Sequence, residues 1–184
     1  MRPVRYLQVD VFTERAGGGN PLGVVVGAQA WSAARMQAFA RWTGLVETTF
    51  LLPPQDPAVD YGLRIFTPAR EIPFAGHPSV GSAHVALAIG MARARAGRLR
   101  QDCGAGRLPL RVDTTQGVQQ IAVCAPAARC LRRAPDLDPA KVNPNGGAVA
   151  LGHPIAATGA VITTKCISEM EREGHEYGLV TLCI

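Results

Sequence analysis

Aromatic residues are scarce, at 5% of 184 residues, and lysine is scarcer still, because 17 of the 19 basic residues are arginine. Proteins that hold single-stranded nucleic acid interleave basic side chains with aromatic rings on which bases stack, so the shortage argues against a nucleic-acid partner. No apolar run reaches the roughly 18 residues that a membrane span needs, and residues 1–8 have no signal-peptide core. The expectation is a cytoplasmic protein without a membrane partner. The five cysteines (Cys103, Cys124, Cys130, Cys166 and Cys183) are odd in number and include no CxxC pair, which excludes a tidy disulfide framework and a zinc knuckle. What the chain does have is 47% hydrophobic residues against 18% charged ones, enough apolar surface to rule out wholesale disorder.

Charge is uneven along the chain. Residues 1–135 carry 16 arginines and 8 acidic residues, whereas residues 136–184 carry 3 basic and 6 acidic ones, giving the net +5. The cluster Arg93, Arg95, Arg98 and Arg100 is read as a solvated helix end and turn rather than a nucleic-acid surface.

The apolar pattern predicts an α+β arrangement. Residues 6–12 and 22–26 read as strands joined by the turn Gly17-Gly18-Gly19-Asn20-Pro21. Ser32 is placed to cap a helix that reaches Thr43, with Gly44 as its stop. Strands are expected over 48–52 and 63–67, then a small-residue helix over 79–92, then strands over 98–103, 108–113 and 118–124. Periodicity collapses after residue 125 into Pro, Arg, Asp and Asn, where the charge also changes sign. This predicts a domain over 1–128, a linker or junction over 129–140, and a separate segment over 141–184 with a helix over 156–173 and a strand over 177–184.

Two motifs carry chemistry. Glu47 lies between a helix stop and a strand start, flanked by Leu45, Val46 and Phe50, so its carboxylate would be partly desolvated and usable as a proton carrier; a plain surface Glu is the competing reading. In Phe74-Ala-Gly-His-Pro-Ser-Val-Gly-Ser-Ala, Gly76 allows close backbone approach and Pro78 suits the first helical position. Free N–H groups there can hold a carboxylate or a developing oxyanion. His77 at that mouth would bind a substrate or shuttle protons, or would simply cap the helix.

Five motifs then occur in a telling order: Gln8-Val-Asp-Val-Phe-Thr, Gly19-Asn-Pro-Leu-Gly-Val, Glu47-Thr-Thr-Phe, Arg64-Ile-Phe-Thr-Pro and Glu71-Ile-Pro-Phe-Ala-Gly-His-Pro. Over residues 4–126 the chain resembles the PhzF-like isomerases of phenazine biosynthesis. The resemblance implies a diaminopimelate-epimerase-like fold of two similar α+β domains, with an active site in the cleft between them. It implies proton transfer on a small acidic substrate with no metal or organic cofactor. Glu47 matches the family's proton-transferring glutamate, Gly76 and His77 match substrate contacts, and Asn20 matches the cleft-lining asparagine. Related amino-acid epimerases carry a catalytic cysteine just before this Gly. Here it is Ala75, which excludes two-base cysteine racemisation and leaves Glu47 as the acid–base.

The remainder departs from that family, whose second domain has no counterpart here; impaired activity is therefore expected, unless a homodimer supplies the facing walls. Lys141-Val-Asn-Pro-Asn-Gly-Gly-Ala-Val-Ala-Leu-Gly-His-Pro and Tyr177-Gly-Leu-Val-Thr-Leu-Cys-Ile resemble the C-terminal end of thiolases. That resemblance maps the histidine that activates the nucleophile onto His153 and the enolising acid–base onto Cys183. No cysteine here sits in the nucleophile's own motif, so the expectation is a fused thiolase-like fragment rather than a working acyltransferase.

Overall fold

The computed structural model describes residues 3–13, 15–115, 118–123 and 158–180. They belong to two compact units, one within Met1–Pro139 and the other within Ala140–Ile184.

In the first unit, β1 (Arg5–Val11) pairs antiparallel with β2 (Asn20–Val26), and the turn between them closes on Asn20 opposite Val11. Gly19 is required there, because a Cβ would fall 2.4 Å from the Val11 carbonyl oxygen. Helix α1 (Ala33–Thr43) begins as expected, with the Ser32 side chain accepting from the Arg35 N–H. It ends at Gly44, which takes a left-handed φ of 66°. β3 (Thr48–Leu52) returns parallel to β2, then β4 (Tyr61–Phe66) and the two-residue β5 (Glu71–Ile72) follow antiparallel. After α2 (Gly76–Ala88), β6 (Arg98–Cys103) pairs parallel with β4, and β7 (Gly106–Thr115) and β8 (Val118–Val123) complete an antiparallel meander. The sheet runs β1-β2-β3-β4-β6-β7-β8, with β5 on β4. Helix α2 touches β1 to β4 and also β8, strands from opposite ends of that order. One helix reaches both ends only if the sheet curls around it.

Strand alternation divides the core. Leu22 and Val24 of β2, Leu51 of β3, and Tyr61, Leu63 and Ile65 of β4 face α2 together with Ala83, Val85 and Ala86. Val25, Phe50 and Phe66 point the other way, onto Met36 and Ala40 of α1. Gly81 lets α2 lie close to the sheet, since a Cβ would sit 2.6 Å from side-chain carbons of both Leu22 and Val11.

The expected α+β class with a mainly antiparallel sheet is what forms. The second expected helix is displaced: α2 spans Gly76–Ala88 rather than 79–92, so Pro78 is its third residue and not its first. Proline is tolerated there because the first-turn N–H groups have no intrahelical acceptor in any case. The helix ends early because Gly90 takes a φ of 71°. Arg93 and Arg95 then lie in the exposed turn, while Arg98 and Arg100 point outward from β6.

In the second unit, α3 (Thr158–Glu173) ends at Gly174, whose φ is 69°. Gly178 brings the following backbone against Cys166 and Met170 of the helix. The strand expected over 177–184 is not seen in its described part, because residues 177–180 are irregular and Tyr177 and Leu179 are exposed. With no paired neighbour among the described residues, β propensity alone does not make a strand there. The expected junction at 129–140 lies outside the described residues. Among the described residues no helix is long and apolar enough to cross a membrane.

Candidate active site

β2 and β3 run parallel, so the start of β2 and the approach to β3 lie at one end of the sheet. Asn20 opens β2, and Glu47 immediately precedes β3. The N-terminus of α2 arrives at the same place. Ala75 is extended and supplies no side-chain cap, Gly76 and His77 open the first turn, and Pro78 has no N–H to give. Helix geometry therefore leaves the Gly76 and His77 amides free of intrahelical acceptors, with the positive end of the helix dipole behind them.

Glu47 and His77 are both buried, at 7% and 4% exposure. The surface-glutamate reading of Glu47 is thereby excluded. Nδ1 of His77 stands 3.2 Å from Oε2 of Glu47. The approach is off the line of a good hydrogen bond. Oε2 of Glu47 and Nε2 of His77 are left as buried polar atoms without a hydrogen-bond partner among the described residues. Native interiors rarely leave such groups unpaired, and a ligand that completes them is a standard reason for the exceptions. His77 is thus not a simple helix cap, since its Nε2 bonds no backbone amide among the described residues and its Nδ1 faces Glu47.

The site also includes side chains whose contacts the sequence did not indicate. The Phe12 ring lies 6.3 Å from the His77 ring, and Phe12 takes a φ of 65°, a conformation that is strained for a bulky residue. A buried polar chain also runs into the start of α2. The Tyr61 hydroxyl donates to Oε1 of Gln101 at 3.2 Å, Nε2 of Gln101 donates to Oγ of Ser79 at 3.1 Å, and that hydroxyl donates to the Ala75 carbonyl at 2.8 Å. Burial, followed by the nearby Cys103 and Asp60, pushes the Tyr61 phenol far above its ordinary value, so it stays a neutral donor. Gln101 is fully buried in a strand that reads Arg-Leu-Arg before it and Asp-Cys after it, and nothing in these neighbours announces a polar partner 22 residues earlier.

A groove farther along α2, lined by His84, Leu87, Arg93 and Gln119, has a ring nitrogen of His84 3.1 Å from Gln119. Its lining is largely aliphatic, and among the described residues it holds no buried side-chain polar atom without a partner. Asn20 and Gly76 are half-buried at the Glu47 end of the sheet. His153 and Cys183 lie outside the described residues.

Among known proteins, the chain is 51% identical over 88 residues to an uncharacterized isomerase of Mesorhizobium japonicum, covering 48% of this chain and 29% of that protein. It is 37% identical over 121 residues to trans-2,3-dihydro-3-hydroxyanthranilate isomerase of Pseudomonas aeruginosa, covering 66% of this chain and 41% of that protein. A relative of another kind is the beta-ketothiolase BktB of Cupriavidus necator, 46% identical over 78 residues, 42% of this chain and 20% of that protein. Among solved structures, a PhzF-family phenazine biosynthesis protein of Bacillus anthracis superposes with a TM-score of 0.60 at 28% identity, covering 66% of this chain and 40% of that one. The chain thus spans well under half the length of these relatives. The family described as phenazine biosynthesis-like protein matches residues 9–171, and the chain belongs to that family.

Proposed function

We propose that this chain carries the Glu47 half of an isomerase site that moves a proton on a small, carboxylate-bearing substrate. The observation that carries the reading is the buried Glu47–His77 pair, 3.2 Å apart at the N-terminus of α2, with Oε2 of Glu47 and Nε2 of His77 lacking hydrogen-bond partners among the described residues. In this reading the Glu47 carboxylate takes a proton from a carbon activated by a neighbouring unsaturated or carboxyl group. The electron pair shifts along the conjugated system, and Glu47, now a carboxylic acid, returns the proton at the new position. The substrate leaves with the composition it entered with. The amides of Gly76 and His77 hold the carboxylate or developing oxyanion, the His77 ring fixes the substrate beside Glu47, and Asn20 lines the same end of the sheet. The name of the Pseudomonas aeruginosa relative supports a cyclic hydroxy-amino acid as the first compound to try.

The test is incubation in D2O with trans-2,3-dihydro-3-hydroxyanthranilate and then with a panel of small unsaturated or α-substituted carboxylic acids. Each recovered acid is analysed by mass spectrometry and proton NMR. An isomerised acid, carrying one deuterium at a single carbon where Glu47 exchanges its proton with solvent, is the expected result for at least one compound, and neither isomerisation nor exchange across the panel would reject the reading.

A match to BktB over 42% of the chain leaves room for a second reading, in which residues 141–184 are a thiolase-like segment and the sequence resemblance, not the match itself, assigns His153 and Cys183 to thiolase positions. Acyl transfer requires an activated nucleophilic cysteine to carry the acyl group, and no cysteine of this chain stands in that motif. Incubation with acetyl-CoA is therefore expected to give neither an acetylated cysteine nor acetoacetyl-CoA by mass spectrometry. Formation of both, lost in His153→Ala, would make this segment the functional one.

A further inference from the structure

Glu47 and His77 sit on different elements, so their separation depends on how α2 is rotated and seated against β3. Apolar packing is non-directional and fixes that seating loosely, whereas hydrogen bonds fix it through distance and angle. A second buried chain of hydrogen bonds, separate from the Tyr61–Gln101–Ser79 chain, joins these elements. Oγ of Ser82 on α2 donates to Oγ1 of Thr49 on β3 at 2.8 Å, and that hydroxyl donates to the Gly23 carbonyl on β2 at 3.2 Å. The Gly23 amide in turn donates to the backbone carbonyl of Glu47 at 3.4 Å. Ser82 and Thr49 are both fully buried. Thr49 lies two residues beyond Glu47, so strand alternation puts both side chains on the face that meets α2. The relay therefore begins on the helix that carries His77 and ends on the backbone of Glu47.

We infer that Thr49 and Ser82 are positioning residues that hold Glu47 in register with His77. The inference rests on the proton-transfer reading of that pair and adds to it the device that sets the pair's geometry. Neither hydroxyl touches the orphaned Glu47 or His77 atoms, so both act through the backbone and the seating of α2.

The test uses the full chain labelled with ¹⁵N, with the ring-nitrogen resonances of His77 identified by their loss in His77→Gln. The quantity measured is the change in those resonances that Glu47→Gln produces. It is compared in the wild-type, Thr49→Val, Thr49→Ser and Ser82→Ala backgrounds. Valine keeps the shape and β-branching of Thr49, and alanine is a better helix former than Ser82, so both variants retain their element. The expected result is a response at least halved in Thr49→Val and in Ser82→Ala, and close to the wild-type response in Thr49→Ser, which keeps the hydroxyl. If Thr49→Val fails to fold, Ser82→Ala breaks the same relay from the helix side. A wild-type response in Ser82→Ala, or a halved one in Thr49→Ser, would overturn the inference. This measurement needs no turnover, so an absence of both isomerisation and deuterium exchange rejects the proposed function without deciding the relay. Where exchange is observed, Thr49→Val should lower kcat about tenfold through misplacement of the pair, with KM within twofold and Thr49→Ser restoring kcat.

Discussion

Glu47→Gln is expected to lower solvent-deuterium incorporation by roughly 10²- to 10⁴-fold, the usual contribution of a general acid–base, while shifting stability by less than about 1 kcal/mol. Glutamine keeps the length and shape of the side chain and removes the proton that has to be carried. The stability expectation follows from the environment: Oε2 accepts no hydrogen bond among the described residues, so the substitution breaks no network there. Denaturant titration beside the exchange assay separates the two effects. Retention of most exchange would mean that another group carries the proton. A large loss of stability with little loss of exchange per folded molecule would recast Glu47 as a structural residue.

The opposite pattern is expected three residues later. Phe50→Ala should cost about 3–5 kcal/mol, the usual range for deleting a buried aromatic ring, and lower the melting temperature by roughly 6–20 °C. Phe50 is fully buried, and its ring packs edge-on against Phe66 at 5.3 Å and tilted against Trp31 at 6.1 Å. It belongs to the α1 side of the sheet, with Val25, Met36 and Ala40, and not to the side that carries Glu47 and His77. Exchange per folded molecule should therefore stay within about threefold of wild type, since the mutated site is not in contact with the pair. Calorimetry and denaturant midpoints measure the first effect, and the D2O assay measures the second. A cost below about 1 kcal/mol would show that α1 and its neighbours collapse to fill the space.

Much of the first unit was legible in the residues themselves. Ser32 and Gly44 bounded α1 because capping chemistry and left-handed φ are local properties that a residue carries with it. The apolar run of β3 and the alternating run of β6 placed both strands at their observed limits, because burial on both faces and period-two burial are each written directly into the side chains. Element ends were less readable where the backbone alone decided. Gly76 opens α2 although glycine is a weak helix former, and a two-residue strand such as β5 has too little pattern to detect.

Glu47 and His77 were readable as candidates from chemical type, neighbours and the family motifs they belong to. Their distance was not. A glutamate at the head of a strand and a histidine thirty residues later become a pair only when β2 and β3 run parallel and α2 is drawn down by Gly81 onto Val11 and Leu22. The surface and helix-cap readings stayed open for the same reason. Burial and the lack of hydrogen-bond partners are properties of the packed sheet and helix, not of a string of residues. Gln101, Tyr61, Ser79, Thr49 and Ser82 show the limit most plainly. Each is an ordinary polar residue in its own segment, and each is assigned a partner only by a sheet that curls around one helix and buries it beside another polar group.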